Sequence, residues 1–397
     1  MRRSTERILT THTGSLVRPA EVVRLMRERT PGQPFPPAAA ATLDQAVKRL
    51  VARQAEVGVD IPSDGEYAKS GFSDYIAERL AGFSQVEGVV AARFRGRDRK
   101  RFPEVYAELD AAAAGNGSGP ALSGGVGPQP RADLACTGPV KYVGQAALAA
   151  DLERLRAAAA AAGVAEAFYP ATAPGTIALQ RPNLHYATEE DYLTAVAEAM
   201  AVEYRAVVEA GLILQIDDPR AVTAWDAMDP PPPPEQYHRF LRSRVDALNH
   251  ALRGIPADRV RYHVCWGSWH GPHTTDIELK YIIGTILQIN AQAYAIEAAN
   301  ARHAHEHRVF EDVKLPDGTI IIPGAVTHST NVVEHPELVA ERIVTYAKLV
   351  GRENVIAGTD CGFAQSFAAK RVPEPVQWEK LRMLAVGAEL ASQRLWP

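Results

Sequence analysis

The chain has 397 residues, of which 46% are hydrophobic and 23% are charged, and its formal net charge at pH 7 is −4. This length can form one large domain or two ordinary ones, and the composition excludes a disordered chain. The small negative charge excludes a general attraction for nucleic acid or anionic membranes, and no apolar run approaches the ~18 residues of a membrane-spanning helix.

Eight short apolar runs, most of them ending in polar residues, alternate with helical patterns along the chain. Strand-to-helix alternation of this kind predicts an α/β fold with a parallel sheet, and eight such units are the number that closes a (β/α)8 TIM barrel. We therefore expect residues 1–397 to form a single barrel. The predicted strands with their polar ends cover residues 8–15, 59–62, 167–175, 212–219, 259–267, 293–297, 320–328 and 354–362.

The regular pattern is interrupted at residues 84–147, which we predict to be an insertion after the second barrel strand. It contains a basic run at 93–101 that lacks the repeated aromatic residues of a nucleic-acid platform, so a solvated face or a homo-oligomer contact is favoured over a nucleic-acid site. The glycine-rich piece 115–119 follows no strand and lacks a Lys-Ser/Thr pair, which favours a mobile loop over a phosphate loop.

The cysteines and the N-terminus indicate the compartment. Cys136, Cys265 and Cys361 are an odd and scattered set, for which metal or thiol chemistry in a reducing environment is more expected than disulfides. The basic N-terminus leads into a strand without an apolar segment of the signal-peptide type. We expect a cytoplasmic protein.

Polar and reactive side chains follow the predicted strands, where a barrel carries its active site. His263 and Cys265 alternate along one strand and therefore project to the same side. Two thiolates, one imidazole and one carboxylate could converge on a tetrahedral zinc ion. The strand-end residues are Ser15, Glu66, Asp217, His263, Cys265, Glu297, His328 and Cys361.

This pattern resembles the catalytic barrel of cobalamin-independent methionine synthase. The resemblance lies in His-x-Cys, the glutamate at the end of the next strand and the Asp-Cys-Gly of the last strand, and it covers the chain except the insertion. It implies zinc held by His263, Cys265, Glu297 and Cys361. Further matching segments are 13–15, 64–66, 215–217 and 327–329, while 265–273 and 302–306 are similar to the epoxyalkane:coenzyme M transferases.

The resemblance also implies roles for other residues. Gly14, Ser15, Glu66 and Asp217 would bind the amino acid part of a homocysteine-like thiol, and His328 would be the acid that protonates the leaving atom. Trp266 is expected to form a wall of the pocket. We hypothesise that a substrate thiol takes an open zinc position, with Glu297 as the ligand it would displace, and attacks an alkyl carbon as a thiolate.

We therefore predict a zinc-dependent thiol alkyltransferase whose partners are a small thiol and an alkyl donor. Gln180 stands where methionine synthase has a tryptophan that stacks on the pterin, which favours epoxide opening by coenzyme M or a similar thiol. The alternative is cobalamin-independent methyl transfer to homocysteine. Remoter alternatives are a metal-free lyase of the uroporphyrinogen decarboxylase shape and a catalytically silent barrel in which zinc only joins strands.

Overall fold

A curled sheet of seven parallel strands forms the centre of the computed structural model, which describes residues 1–87, 96–115, 134–364, 366–367 and 372–397. The strand order is β1-β9-β8-β7-β6-β5-β4, and a separate antiparallel ribbon pairs β2 with β3. The strands are β1 Leu9–Thr10, β2 Leu80–Gln85, β3 Leu134–Tyr142, β4 Phe168–Thr172, β5 Ile213–Asp217, β6 Val260–Val264, β7 Ala293–Ile296, β8 Ile320–Val326 and β9 Ile356–Thr359.

Helices follow most of the parallel strands, as the sequence pattern predicts. Short 3-10 helices at Ala257–Arg259, Leu279–Tyr281, Ala304–Arg308 and Arg352–Asn354 join some of the elements. The α-helices are α1 Ala20–Glu28, α2 Pro37–Glu56, α3 Ile76–Arg79, α4 Arg97–Arg101, α5 Pro103–Gly115, α6 Gln145–Ala161, α7 Pro174–Gln180, α8 Glu189–Glu209, α9 Arg220–Ala227, α10 Pro234–Ala251, α11 Ile283–Ile286, α12 Val309–Asp312, α13 Pro336–Val350 and α14 Glu374–Leu395.

The strands of the parallel sheet are apolar on both faces because each face is covered. In β8, Ile321 belongs to the large core between the sheet and the helices, whereas Ile320 and Ile322 belong to a smaller core on the concave side. This alternation follows from the two-residue repeat of a strand. The concave core consists of Leu9, Ile61, Phe168, Ile213, Ala293, Ala295, Ile320, Ile322 and Ile356.

Residues 59–62, predicted as the second barrel strand, lie between the two edge strands of the sheet. The amide of Ile61 donates to the carbonyl of Thr10 on one side at 3.0 Å, and Phe168 N donates to Pro62 O on the other side at 3.0 Å. A bridge between Thr11 and Ile61 is the only ladder pairing that this segment makes among the described residues. The structure is therefore a mixed α/β fold with a curled seven-stranded parallel sheet.

The region of residues 84–147 contains helices of its own. In the Ala-rich stretch that begins at Ala111, α5 continues to Gly115. Alanine has the highest helix propensity, so the run extends the helix. Residues 93–95 of the basic run and 116–119 of the glycine-rich piece lie outside the described residues, and Arg97–Arg101 form α4. Within the described part of the chain, no helix combines the length and hydrophobicity of a membrane span.

Candidate active site

Three predicted metal ligands meet at the carboxyl edge of the sheet. His263 lies on β6, Cys265 follows it, and Cys361 comes two residues after β9. In a flat sheet, three strand spacings would place the ends of β6 and β9 about 14 Å apart. Because the sheet curls, the two Sγ atoms lie 3.8 Å apart, and one ligand atom from each of the three buried residues lies within 4.8 Å of the others. This geometry is consistent with the prediction that the three side chains converge.

Hydrogen bonds fix the orientation of the His263 ring. Its Nδ1 lies 2.9 Å from Asp217 Oδ1, which also accepts a 2.8 Å hydrogen bond from Gln215 Nε2. Burial lowers the pKa of His263, but the Asp217 hydrogen bond and the charge of Cys361 outweigh burial and raise it to about 9. A carboxylate on Nδ1 is the usual partner of a metal-bound histidine and leaves Nε2 toward the metal.

The two cysteine Sγ atoms are within hydrogen-bond distance, and either sulfur can be the donor. This contact raises the pKa of Cys265 and lowers that of Cys361. Gly267 N donates to Cys265 Sγ at 3.2 Å. Since a second negative charge is disfavoured in this buried pair, a cation that allowed both thiols to ionise would bind favourably.

Glu297, the fourth predicted ligand, lies beside the cluster but outside the group of three. It follows β7, and its Oε1 accepts a 2.9 Å hydrogen bond from Trp266 N while its Oε2 accepts one from Asn300 Nδ2 at 2.8 Å. Burial raises the pKa of Glu297 to about 7. A carboxylate held in this way can ionise when a cation is near, and its role as a ligand stays a prediction.

Asp360 connects the ends of β7 and β9. The sequence analysis did not identify this residue. Its Oδ1 accepts hydrogen bonds from Ala298 N and Ala299 N at 2.7 and 2.8 Å, and its Oδ2 accepts one from Asn300 Nδ2 at 3.2 Å. Its position next to Cys361 in the Asp-Cys-Gly motif was the available signal. Asp360 thus joins the loop of one candidate ligand to the loop of another.

The predicted substrate residues Gly14, Ser15 and Glu66 lie on neighbouring loops. Gly14 has φ +73°, and a Cβ there would lie 2.8 Å from Glu66 Oε1. Ser15 O accepts a 2.8 Å hydrogen bond from Phe363 N, which connects this loop to the segment after Cys361. Ser15 therefore contacts the segment that follows Cys361, and Gly14 lies against Glu66.

Glu66 is a buried carboxylate in an unusual backbone conformation. Its φ is +60°, and only 2% of its surface is exposed. Burial raises its pKa to about 7, and Oε2 accepts no hydrogen bond from the residues that the structure describes. A buried oxygen without a donor indicates a position for a ligand's N–H group.

Trp266 is 1% exposed, so it supports the site from within the protein. Its indole Nε1 donates to Ile277 O at 2.7 Å, and its ring stacks on the His303 ring with centroids 4.1 Å apart.

His328 follows β8 and is also buried. The adjacent Thr327 N donates to Glu334 Oε1 at 2.8 Å. The role of His328 as an acid stays a prediction.

These observations define the class of protein by its structure: an α/β protein with a thiol-rich candidate metal site at the carboxyl edge of a curled parallel sheet. The family model of the cobalamin-independent synthase catalytic domain matches residues 171–374. The chain belongs to this family, as the resemblance predicted, and is an enzyme of the thiol alkyl- and methyltransferase class.

Individual relatives are similar over different lengths. Methionine synthase of Sulfurisphaera tokodaii is 23% identical, with 97% of this chain and 93% of the relative covered. The 2-hydroxypropyl-CoM lyase of Xanthobacter autotrophicus is 23% identical, with 54% and 58% covered. The structure of a B12-independent methionine synthase from Shewanella sp. W3-18-1 in complex with selenomethionine superposes with a TM-score of 0.71 at 17% identity, covering 98% of this chain and 99% of that one. This last similarity supports the fold.

Proposed function

We propose that the chain transfers a methyl group, without cobalamin, to a small thiol of the homocysteine type held at a zinc ion. The observation that carries this proposal is the convergence of His263, Cys265 and Cys361. Family membership supports methyl transfer, since methionine synthase relatives align over 97% of the chain and the CoM lyase over 54%. The epoxide-opening expectation therefore becomes the second candidate.

The residues present fit a zinc ion. Two thiols and one imidazole are borderline-soft donors, they are buried together, and Asp217 already holds the imidazole by Nδ1. Glu297 would be the fourth ligand, or the group that a substrate thiol replaces. Zinc, when bound, supplies the positive charge that keeps a coordinated thiol ionised at neutral pH.

The remaining residues bind and orient the substrates. The Glu66 carboxylate has a free buried oxygen among the described groups and would accept the ammonium of an amino acid thiol. Gly14 and Ser15 would line the same end of the pocket, and Asp217 would add negative charge there. The two carboxylates, when ionised, would favour a thiol that carries a cationic amine.

In the transfer itself, a sulfur–carbon bond forms and the bond between the methyl carbon and its donor atom breaks. The thiol proton passes to solvent before attack, and the electron pair of the broken bond stays on the donor atom. His328 would give that atom a proton. Trp266 would keep water from the site by filling the space behind Cys265.

We also propose that the fold is a closed eight-stranded barrel formed by residues 1–397. Residues 59–62 would be the eighth strand, since they bond to both edge strands of the sheet and Ile61 enters the concave core. The segment 84–147 would be an insertion into this barrel, with a surface available for homo-oligomer contacts.

The second candidate is opening of an epoxide by coenzyme M or a similar thiol. The same ionised sulfur would attack an epoxide carbon, the carbon–oxygen bond would break, and His328 would protonate the oxygen. The similarity to 2-hydroxypropyl-CoM lyase and the presence of Gln180 at the end of α7, in place of an aromatic residue, favour this candidate.

The test is to measure the zinc content of the purified protein and the thioether products formed from homocysteine or coenzyme M with methyl and epoxide donors. We expect about one zinc per chain, loss of zinc in Cys265→Ser, and S-methylation of homocysteine. Cys136→Ser is the matched control because Cys136 is a buried free cysteine outside the cluster. Full activity of zinc-free protein would contradict the proposal.

A further inference from the structure

The loop that follows β6, residues 266–276, is fastened by a residue of the predicted insertion. Asp98 lies in α4 and is 1% exposed. Its Oδ1 accepts hydrogen bonds from Thr274 N at 2.9 Å and from Thr274 Oγ1 at 2.7 Å. Its Oδ2 accepts from His273 N at 2.9 Å and from Tyr106 Oη at 2.8 Å. One buried carboxylate thus holds the far end of the loop.

A second set of contacts fixes the middle of the loop. Trp269 Nε1 donates to Tyr106 Oη at 2.9 Å, so the tyrosine connects this indole to Asp98. The Trp269 ring packs on the His273 ring with centroids 4.0 Å apart. A Cβ on Gly271 would lie 2.2 Å from Trp269 Nε1, so the backbone approaches the indole too closely for a larger residue.

The first residues of the same loop hold the thiol site. Gly267 N donates to Cys265 Sγ at 3.2 Å, and Trp266 N donates to Glu297 Oε1 at 2.9 Å. Gly267 has φ +90°, and a Cβ there would lie 1.9 Å from the Trp269 ring. The Trp269 ring therefore packs directly against Gly267, the residue whose amide faces Cys265 Sγ.

A further carboxylate ties α4 to the body of the protein. Asp226 Oδ1 accepts a 3.0 Å hydrogen bond from Asp98 N and another from Thr275 Oγ1. A Cβ on Gly96 would lie 1.7 Å from Asp226 Oδ2, so only glycine permits this approach. Helix α4 and the loop are thus held against the same side chain.

We propose that Asp98 is a positioning residue of the thiol site, which acts by holding residues 266–276 so that Gly267 N faces Cys265 Sγ and Trp266 N faces Glu297. The expected effect on catalysis rests on the proposed function, whereas the effect on the loop does not. An insertion that supplies this carboxylate contributes to the site without touching substrate. A carboxylate is required at this position because four donors face the side chain, and only an ionised carboxylate accepts hydrogen bonds at both oxygens without offering a donor of its own.

The variant Asp98→Asn retains the shape of the side chain but has only one accepting oxygen. Its amide nitrogen would face two of the four donors, and one of these two is a backbone N–H of the loop, which would lose its acceptor. The second variant, Tyr106→Phe, removes only the hydroxyl that joins Trp269 to Asp98. Lys100→Gln is the control, since Lys100 lies in the same helix and pairs with Asp229 at an exposed position.

The experiment measures hydrogen–deuterium exchange of the full-length zinc-loaded protein in peptides that cover residues 266–276. We expect exchange there to be at least tenfold faster in Asp98→Asn and Tyr106→Phe, with α13 unchanged and Lys100→Gln equal to the parent protein. The cobalt-substituted variants should show a shifted thiolate-to-metal absorption band and a raised KM for the thiol, with a smaller change in kcat.

Unchanged exchange in residues 266–276 of both variants would overturn the inference, as would faster exchange without any change in the cobalt spectrum or KM. If the parent protein bound no metal, the proposed function would fail, whereas the exchange result would still test how Asp98 holds the loop. The two failures are therefore distinguishable.

Discussion

Replacing Glu66 by Gln should stabilise the metal-free protein at pH 8 and weaken its binding of an amino acid thiol. Burial raises the pKa of Glu66 from 4.5 to about 7. Each pKa unit corresponds to about 1.4 kcal/mol, so ionisation of Glu66 in the folded state costs about 3 kcal/mol of stability. The sign follows because the folded state retains the proton more strongly than the unfolded state.

The pH window follows from the same two values. The favourable contribution of protonated Glu66 is fully present below pH 4.5 and is lost as the pH rises through about 7. Urea unfolding should therefore give Glu66→Gln an advantage of about 3 kcal/mol at pH 8 and about 1 kcal/mol at pH 5. Glu153→Gln is the control, since the Glu153 side chain is 71% exposed.

The same substitution should reduce substrate binding in the zinc-loaded protein. Removing one partner of a buried ion pair costs roughly 2–5 kcal/mol, so the Kd for homocysteine should rise at least 30-fold. Isothermal titration with homocysteine and with a thiol that lacks the amine should show that the loss is specific to the former. An equal stabilisation at both pH values, or unchanged homocysteine binding, would refute the assignment of Glu66.

Two further predictions concern the support of the metal ligands. Asp217→Asn should lower zinc affinity by roughly 10–100-fold in a chelator competition, because the partner of His263 Nδ1 loses its charge; unchanged affinity would contradict this role. Gly324→Ala should lower the Tm and disturb zinc binding, because the added Cβ would lie 2.2 Å from Asp360 Oδ1. Gly284→Ala is the control and should be tolerated, because a Cβ there has no neighbour within 4 Å. Equal behaviour of the two alanine variants would show that the contact at Asp360 is not important.

Sequence patterns could predict the thiol site because they report local geometry. His263 and Cys265 alternate along the chain at the end of a buried strand, and Cys361 follows another such strand, so parallel topology places all three at the same edge of the sheet. The curl of the sheet then brings the two thiols to 3.8 Å from each other. Residues 59–62 show the limit of this reasoning. Their apolar pattern predicts a strand, whereas the segment makes a single ladder bridge among the described residues, because pairing on both sides depends on how far the sheet curls.

The supports of the site could not be predicted in this way. Asp98 and Thr274 are 176 positions apart, and two of the donors to Asp98 are backbone amides. Such contacts leave no pattern in the sequence. Asp217 was predicted to bind substrate, while its hydrogen bond to His263 became visible only from the pairing of β5 with β6. Chemistry was predictable from residue type, but the network that orients it was not.

X-ray absorption at the zinc edge, with and without homocysteine, tests the central claim most directly. The account predicts one zinc per chain with two sulfur ligands and one imidazole nitrogen from the protein, and a third sulfur after homocysteine is added. A metal environment without sulfur, or one that does not change when the thiol binds, would contradict it.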